Sequence, residues 1–360
     1  MSKPIFLSGT NGLPGRYGGW DQLLSHLAEA LSSKRDVVVH TSVYDSTPGV
    51  TVSHGAQVDI IGLSANGSSS IIYDLVCLYR AWCNRGICVM LGTSGGIFFP
   101  VFRLLGLCII LNPDGEEWNR TKWSKPAQLF LWFSDVIATM SATAVIADHP
   151  RIYSRIRKLR KTSVFCIAYG GDNALSVDFS EASKIVPDYI VSQKYVFGVC
   201  RIEPENNVHL CLSAASQLGL PLVFVGNWQR SKYGQTLYSR YSPCANILLL
   251  DPIYDPVLLG SLRSNCSIYF HGHTVGGTNP SLVEALCLGL RIVCHDNRFN
   301  RFTTDDDCSY FSDHEQLIQV LSEFSSTPPQ PLTYLREKNL SKYSWTSVVN
   351  DYEKVIARFA

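Results

Sequence analysis

The chain has 360 residues, more than one ordinary core fills at about 100–200 residues per domain, so two domains are expected. A composition of 46% hydrophobic and 17% charged residues excludes a disordered chain. The 31 Lys and Arg against 30 Asp and Glu leave a net charge of +1, which argues against a nucleic-acid or other bulk polyanion binder, while the slightly positive mean hydropathy of +0.06 raises membrane contact as a reading.

In chain order, Pro4–Leu7 reads as a strand running into a glycine loop. It is too short in its apolar part for a signal peptide, so a cytoplasmic location is expected. Helical periodicity covers Leu23–Leu31, Val37–Thr41 and Val58–Ile61 read as strands, Ile72–Cys83 as a helix and Ile87–Leu91 as a strand. The most apolar stretch, Ile97–Leu111, contains Arg103 and falls short of the ~20 residues a spanning helix needs. A buried strand and helix, or an interfacial segment, are the readings left for it. Cys108–Leu111 reads as a strand, Lys125–Val136 as a helix, and Ala144–Ala147 and Ser163–Ile167 as strands. The basic stretch Arg151–Lys161 is either a solvated face or a surface for anionic lipid.

The segment Asp172–Pro187 is polar and contains proline, which makes it the expected linker. Beyond it the scheme repeats: strand Tyr195–Val199, helix Val208–Leu218, then strands Leu222–Val225, Ile247–Leu250, Ser267–Phe270 and Arg291–Cys294. Strands alternating with helix-length segments imply βαβ units and parallel sheets. Expected domains are therefore 1–180 and 181–342, each doubly wound. A terminal amphipathic helix over 343–360, carrying Trp345, Val348, Tyr352, Val355 and Ile356, is expected to return to the first domain. The 12 cysteines form no C-x-x-C pair, and Cys77, Cys83, Cys88, Cys108, Cys211, Cys287 and Cys294 sit among apolar residues, as free thiols of a reducing compartment do.

Four runs could carry chemistry. The first is Gly9-Thr-Asn-Gly-Leu-Pro-Gly-Arg-Tyr-Gly-Gly19, after a strand and before a helix. Its glycines admit a ligand to the backbone, and Arg16 favours an anion over a purely structural loop. The spacing is neither G-x-G-x-x-G nor a P-loop. The second, Asn112-Pro-Asp-Gly-Glu-Glu-Trp-Asn-Arg-Thr-Lys-Trp-Ser-Lys125, joins carboxylates to indoles. That combination suits a sugar; its bland counterpart is a solvated helix start. The third, Arg201-Ile-Glu-Pro-Glu-Asn-Asn207, offers a guanidinium that matches a phosphate. The fourth is His271-Gly-His-Thr-Val-Gly-Gly-Thr-Asn-Pro-Ser-Leu-Val-Glu284-Ala285. It delivers Gly276, Gly277, Thr278, Asn279 and Ser281 to a helix N-terminus, an anion site, with Glu284 one turn inside the helix. His271 and His273 have no evident third ligand, so no metal is expected. Asp305-Asp306-Asp307, late in the chain after the last clear strand, reads as a solvated turn.

These runs resemble those of retaining glycosyltransferases of the family-4 type with the GT-B fold, and more narrowly of the bacterial rhamnosyltransferase-like branch. The matching stretches are Gly12–Gly19, Asp114–Trp123 and His271–Ala285. The resemblance implies two Rossmann-like domains facing across a cleft. It implies a nucleotide-diphosphate sugar as co-substrate, no cofactor, and a saccharide or lipid-linked acceptor in cell-surface polysaccharide synthesis. Arg201 matches the arginine that meets the donor diphosphate, and Glu284 the glutamate that holds the ribose hydroxyls. Gly276–Asn279 would approach the diphosphate and sugar, with Ser281 beside them and His271 at the reacting end. Arg16, Gly18 and Gly19 belong to the loop that would close over the donor. Asp114, Glu117, Trp118, Arg120 and Lys122 would face donor sugar or acceptor. Two positions depart from the wider family, which has a glutamate where Gly276 stands and a lysine where Asn206 stands; Lys194 or Lys122 is a candidate to supply the missing charge. The resemblance implies hexosyl transfer with retention; a sugar-nucleotide epimerase or hydrolase and a non-catalytic sugar-nucleotide scaffold are the alternatives. Arg201→Ala and Glu284→Ala are each expected to lower turnover while the fold survives. Low charge fits peripheral docking at the inner face of a membrane through Ile97–Leu111 and Arg151–Lys161.

Overall fold

The computed structural model describes residues 3–15, 19–113, 115–120, 123–175, 181–188, 190, 195–325 and 332–360, with the side chains at 183 and 325 excepted. The chain divides into two compact units: Met1–Tyr169 with Trp345–Ala360, and Gly170–Ser344.

The elements of the first unit are β1 (Ile5–Ser8), α1 (Gly19–Ser32), β2 (Val37–Ser42), β3 (Val52–Ser53), β4 (Ala56–Ile61), α2 (Ser70–Cys83), β5 (Ile87–Leu91), α3 (Phe99–Leu104), β6 (Cys108–Asn112), α4 (Lys125–Ser141), β7 (Ala144–Ala147), α5 (Pro150–Leu159) and β8 (Val164–Cys166). The second unit holds β9 (Val196–Val199), α6 (Val208–Leu218), β10 (Leu222–Val225), α7 (Lys232–Tyr241), β11 (Ile247–Leu250), α8 (Pro256–Ser264), β12 (Ile268–His271), α9 (Pro280–Cys287), β13 (Ile292–His295), α10 (Arg298–Thr304), β14 (Ser309–Phe311), α11 (His314–Ser325) and α12 (Thr333–Lys342). The last helix, α13 (Trp345–Phe359), belongs to the first unit.

The first unit's sheet runs β3-β4-β2-β1-β5-β6-β7-β8 and is parallel except for the short β3. Strands β1, β5, β6 and β7 are buried along their whole length, which is why they read as unbroken apolar runs and not as alternating ones. Helix α1 covers the sheet with Leu23, Leu24, Leu27 and Leu31, and α13 packs against α1 with Trp345, Val348, Tyr352, Val355 and Ile356. The expected return of the terminal helix is therefore found. It is fixed by two polar contacts: Asn112 Nδ2 donates to the Tyr352 hydroxyl at 2.8 Å, and the His26 ring stacks on Trp345 at 3.9 Å.

The second unit's sheet, β11-β10-β9-β12-β13-β14, is wholly parallel. Its core joins Leu212, Ala215 and Cys211 of α6 to Phe224, Phe270, Val293 and Phe311. Strand β14 lies beyond Asp305–Asp307, so that acidic run is not past the last strand as expected. It forms the β13–β14 crossover's turn, with Asp305 and Asp306 in the left-handed region at φ 51° and 59°. There Asp306 pairs with Arg301, Asp305 with Lys338 and Lys342, and Asp307 with Lys338.

One buried carboxyl holds a loop of the first unit. Asp74 on α2 is 3% exposed and accepts the Gly95 N–H at 2.8 Å. Burial raises its pKa to about 7. The folded value lies above the unfolded one. Between about pH 4 and 7 the native state keeps a proton that the unfolded chain has lost, so stability from this group falls as pH rises through that window and levels off above it. Urea unfolding across that range should show Asp74→Asn losing this slope. The variant should be roughly 1–3 kcal/mol more stable than the parent above neutrality. Identical slopes for the two proteins would show that Asp74 is not the group responsible.

Candidate functional site

In the second unit the chain lays β9, β10 and β11 outward in one direction, then returns to set β12, β13 and β14 on the other side of β9. At such a reversal the loops leaving two adjacent strands diverge and open a crevice at the carboxyl ends. The loops here are Cys200–Asn207 after β9 and Gly272–Asn279 after β12, the third and fourth runs of the sequence.

They are bolted together by backbone. Thr274 donates both its N–H and its hydroxyl to the Glu205 carbonyl, each at 3.0 Å. Asn207 Nδ2 donates to the Gly272 carbonyl at 3.0 Å, and Asn206 Nδ2 to the Arg201 carbonyl at 2.7 Å. A Cβ on Gly272 would run into the Asn206 carbonyl oxygen, so only glycine permits this approach. Asn206 is therefore a buried brace of the loop, which explains its presence where a charged lysine was considered. Arg201 stays exposed and pairs with no acid among the described residues.

Gly276 sits at φ 144°, with open space where a side chain would go. Gly277 follows, Thr278 is buried, and Asn279 caps α9 by accepting from the Ser281 N–H at 3.1 Å and the Ser281 hydroxyl at 2.8 Å. Pro280 opens the helix, where its missing N–H costs nothing. Glu284 lies below, 5% exposed. One of its carboxylate oxygens takes the Arg263 guanidinium at 2.7 Å and the other accepts from Asn173 Nδ2 at 3.0 Å. His271 ends β12 with both ring nitrogens buried and unpartnered, stacked on His273 at 4.4 Å. Burial pushes its pKa down to about 3, so the ring is neutral, with one N–H donor and one acceptor nitrogen.

The first unit has the same reversal between β1 and β5. Gly9, Gly12 and Gly15 take φ 91°, 88° and 80° in the loop after β1. Leu13 N–H donates to Thr41 Oγ1 at 3.2 Å and Ser42 N–H to the Asn11 carbonyl at 3.0 Å. Beside this loop is a cavity of about 180 Å³ lined by Asn11, Gly12, Pro14, Gly15, Asp21, Tyr44, Asp45 and Ser46. Asp21 is 3% exposed, and burial raises the pKa of Asp45. Acids in the lining suit hydroxyls better than phosphate. Gly19 is the first residue of α1; Arg16 and Gly18 lie outside the described residues.

Asp114 and Lys122 also lie outside them, as does Lys194. In the rest of the second run, Arg120 pairs with Glu117 at 2.6 Å and Trp123 Nε1 donates to Glu117 at 3.1 Å. Both charges are thereby engaged locally in one turn. Trp118 is half-buried and its indole N–H has no partner.

Sequence reading missed several groups that shape these places. The loop Gly92-Thr93-Ser94-Gly95-Gly96 follows β5 at the reversal, and its glycines after a strand were a readable signal. Asp21, Asp45, Asp74, Asn173 and Arg263 act through tertiary contacts that no local pattern announces.

A family model described as a domain of unknown function, DUF1972, matches residues 2–172. No curated protein matches the sequence. Among solved structures, a sucrose-phosphate synthase from Thermosynechococcus elongatus is similar with a TM-score of 0.82 at 14% identity, covering 99% of each chain. HepE of Anabaena in complex with UDP-glucose gives 0.74 at 14% identity, again covering 99% of each chain. An α,α-trehalose 6-phosphate synthase from Burkholderia multivorans gives 0.75 at 11% identity, covering 100% of this chain and 99% of that one. Likeness at such identity establishes the fold: two Rossmann-like α/β domains of the GT-B type.

The buried pair changes the expectation for Glu284→Ala, which would strand the Arg263 charge in the interior. Losing one partner of a buried pair costs about 3–5 kcal/mol. Thermal melts should show Glu284→Ala strongly destabilised, Glu284→Gln less so, and Arg201→Ala unchanged within about 0.5 kcal/mol. An unshifted Glu284→Ala melt would refute the pairing.

Proposed function

We propose that the protein is a glycosyltransferase. It moves a hexosyl unit, rhamnosyl by the branch its runs resemble, from a nucleotide-diphosphate sugar to a saccharide or lipid-linked acceptor with retention. The observation that carries this is the joining of the Arg201 loop to the Gly272–Asn279 loop at the reversal of the second sheet, the latter loop running into α9, which holds the fixed carboxylate of Glu284. Solved structures of the same fold in complex with UDP-glucose or, in a trehalose-phosphate synthase from Burkholderia xenovorans, with glucose-6-phosphate support a sugar donor and a sugar acceptor.

Arg201 supplies the positive charge for the leaving diphosphate, and the N–H groups at the start of α9 add oriented donors. Each Glu284 oxygen accepts one internal hydrogen bond and keeps a lone pair, so the carboxylate can accept two ribose hydroxyls without leaving Arg263. Neutral His271 can donate one hydrogen bond without adding charge. The departing phosphate takes the acceptor hydroxyl's proton as the new glycosidic bond forms, so no side-chain base and no metal is needed. The acid-lined cavity of the first unit suits a hydroxyl-rich acceptor. Such a reaction belongs on the cytoplasmic side of an envelope, in polysaccharide assembly.

Thermal-shift measurement over a panel of nucleotide-diphosphate sugars should single out one donor by a raised melting temperature. With that donor and an envelope extract as acceptor source, Arg201→Ala should lose about 10²–10³-fold in kcat/KM. Near-parental transfer by this variant would overturn the site. An altered sugar formed from donor alone would favour the epimerase or hydrolase reading.

A further inference from the structure

Helix α4 is inverted relative to an ordinary surface helix. Its buried side carries Ser134, Asp135, Ala138 and Thr139. Its outer side carries Leu129, Trp132, Phe133 and Met140, which are 66%, 45%, 53% and 61% exposed. Trp132 and Phe133 lie three and four residues beyond Leu129, and Met140 lies seven beyond Phe133, which are the steps of a single helix face. Two of the inward polar groups have partners, Ser134 donating to the Thr93 carbonyl at 2.6 Å and Asp135 pairing with Arg155, while the Thr139 hydroxyl is buried without one. The inversion is therefore built in. Helix α3 packs against α4 and extends the apolar surface with Val101, Leu104 and Leu105, Leu104 being 89% exposed.

The exposed charges on α4, on α5 and in the turn after α5 have one sign. From Trp123 to Tyr169 the chain has seven Lys and Arg, and its only acids, Asp135 and Asp148, are each 1% exposed. Helix α5 contacts α4, buries Ile152 and Ile156, and exposes Arg151 and Lys158. Arg160 fixes this arrangement by donating to the carbonyls of Thr139 and Ala142 at the end of α4, at 3.0 and 2.7 Å. Lys161, just past it, is exposed, and Lys125 stands exposed at the other end of α4.

We propose that the α3–α4 face, with the basic groups of α5 and Lys125, docks the first unit onto an anionic membrane surface. Large apolar and aromatic side chains enter the headgroup boundary while lysines and arginines meet lipid phosphates. A second copy of the chain is a worse occupant, because pairing two such faces would bring two basic rims together. No described helix is long and apolar enough to cross a bilayer, so docking is peripheral. Vesicle partitioning needs no nucleotide sugar, so this inference stands or falls separately from the transferase reading.

The test is co-sedimentation of the full chain with vesicles of phosphatidylglycerol and phosphatidylcholine in equal parts, against phosphatidylcholine alone. Binding is expected to the anionic vesicles, weakening as salt is raised. Trp132→Ser with Phe133→Ser should reduce partitioning about tenfold or more, and Lys158→Glu with Lys161→Glu should do likewise. All four side chains point away from the core, and unchanged far-ultraviolet dichroism and melting would confirm folding. Failure of the parent to bind anionic vesicles, or undiminished binding by both double variants, would overturn the proposal. So would a lipid-free dimer that the Trp132 and Phe133 substitutions dissociate.

Discussion

The sites proposed for the transferase depend on one topological constraint, the reversal of strand order inside a parallel sheet. Parallel strands present all their carboxyl ends on one edge, and helices on both faces leave that edge as the place where loops meet. In the second unit β9 pairs with both β10 and β12, so the two loops that leave β9 and β12 part at the sheet and rejoin above it. Sequence positions about seventy residues apart, Glu205 and Thr274, are thereby held at hydrogen-bond distance. In the first unit β1 stands between β2 and β5, and the same constraint sets the Gly9–Gly15 loop beside Gly92–Gly96.

The two reversals carry opposite chemistry. Above β9 and β12 Arg201 is exposed, and the buried acid Glu284 is already balanced by Arg263. Beside β1 the cavity is lined by Asp21 and Asp45. The proposed donor's diphosphate suits the first place and the proposed acceptor's hydroxyls suit the second. Polar side chains bonded to backbone set both geometries: buried Asn206 with the half-buried Asn207 and Asn279 in one unit, and buried Asp74 and Thr41 in the other. Removing such a group is costly because its partner is left unsatisfied in a low dielectric.

Much of the fold was legible. Ala144–Ala147, Val208–Leu218, Leu222–Val225 and Ile247–Leu250 stand where the sequence pattern set them, because apolar runs of parallel strands and helices of regular period announce themselves locally. The third and fourth runs were legible as loops opening onto helices. What escaped was whatever depends on which face an element turns inward. The pattern of α4 gave its start but ended it at Val136 where the helix runs on to Ser141, and it did not show the inversion, since Asp135 becomes tolerable inside only through Arg155, on another helix. Glu284 was visible as a residue facing the loop, whereas its ion pair with Arg263 required the fold. Glu117 and Arg120 looked like a sugar site from composition, yet three residues apart in one turn they find each other first. The slightly positive mean hydropathy also acquires a location, in the exposed apolar face of α3 and α4.

The most direct test of the central claim is hydrogen exchange of the intact protein with and without the nucleotide-diphosphate sugar that gives the largest thermal shift. Slowed exchange is predicted in two separate segments of the second unit, 200–207 and 272–284, from amides on the two loops that flank the reversal. Protection confined to other segments, or none at these two, would contradict the assignment of the donor to this crevice.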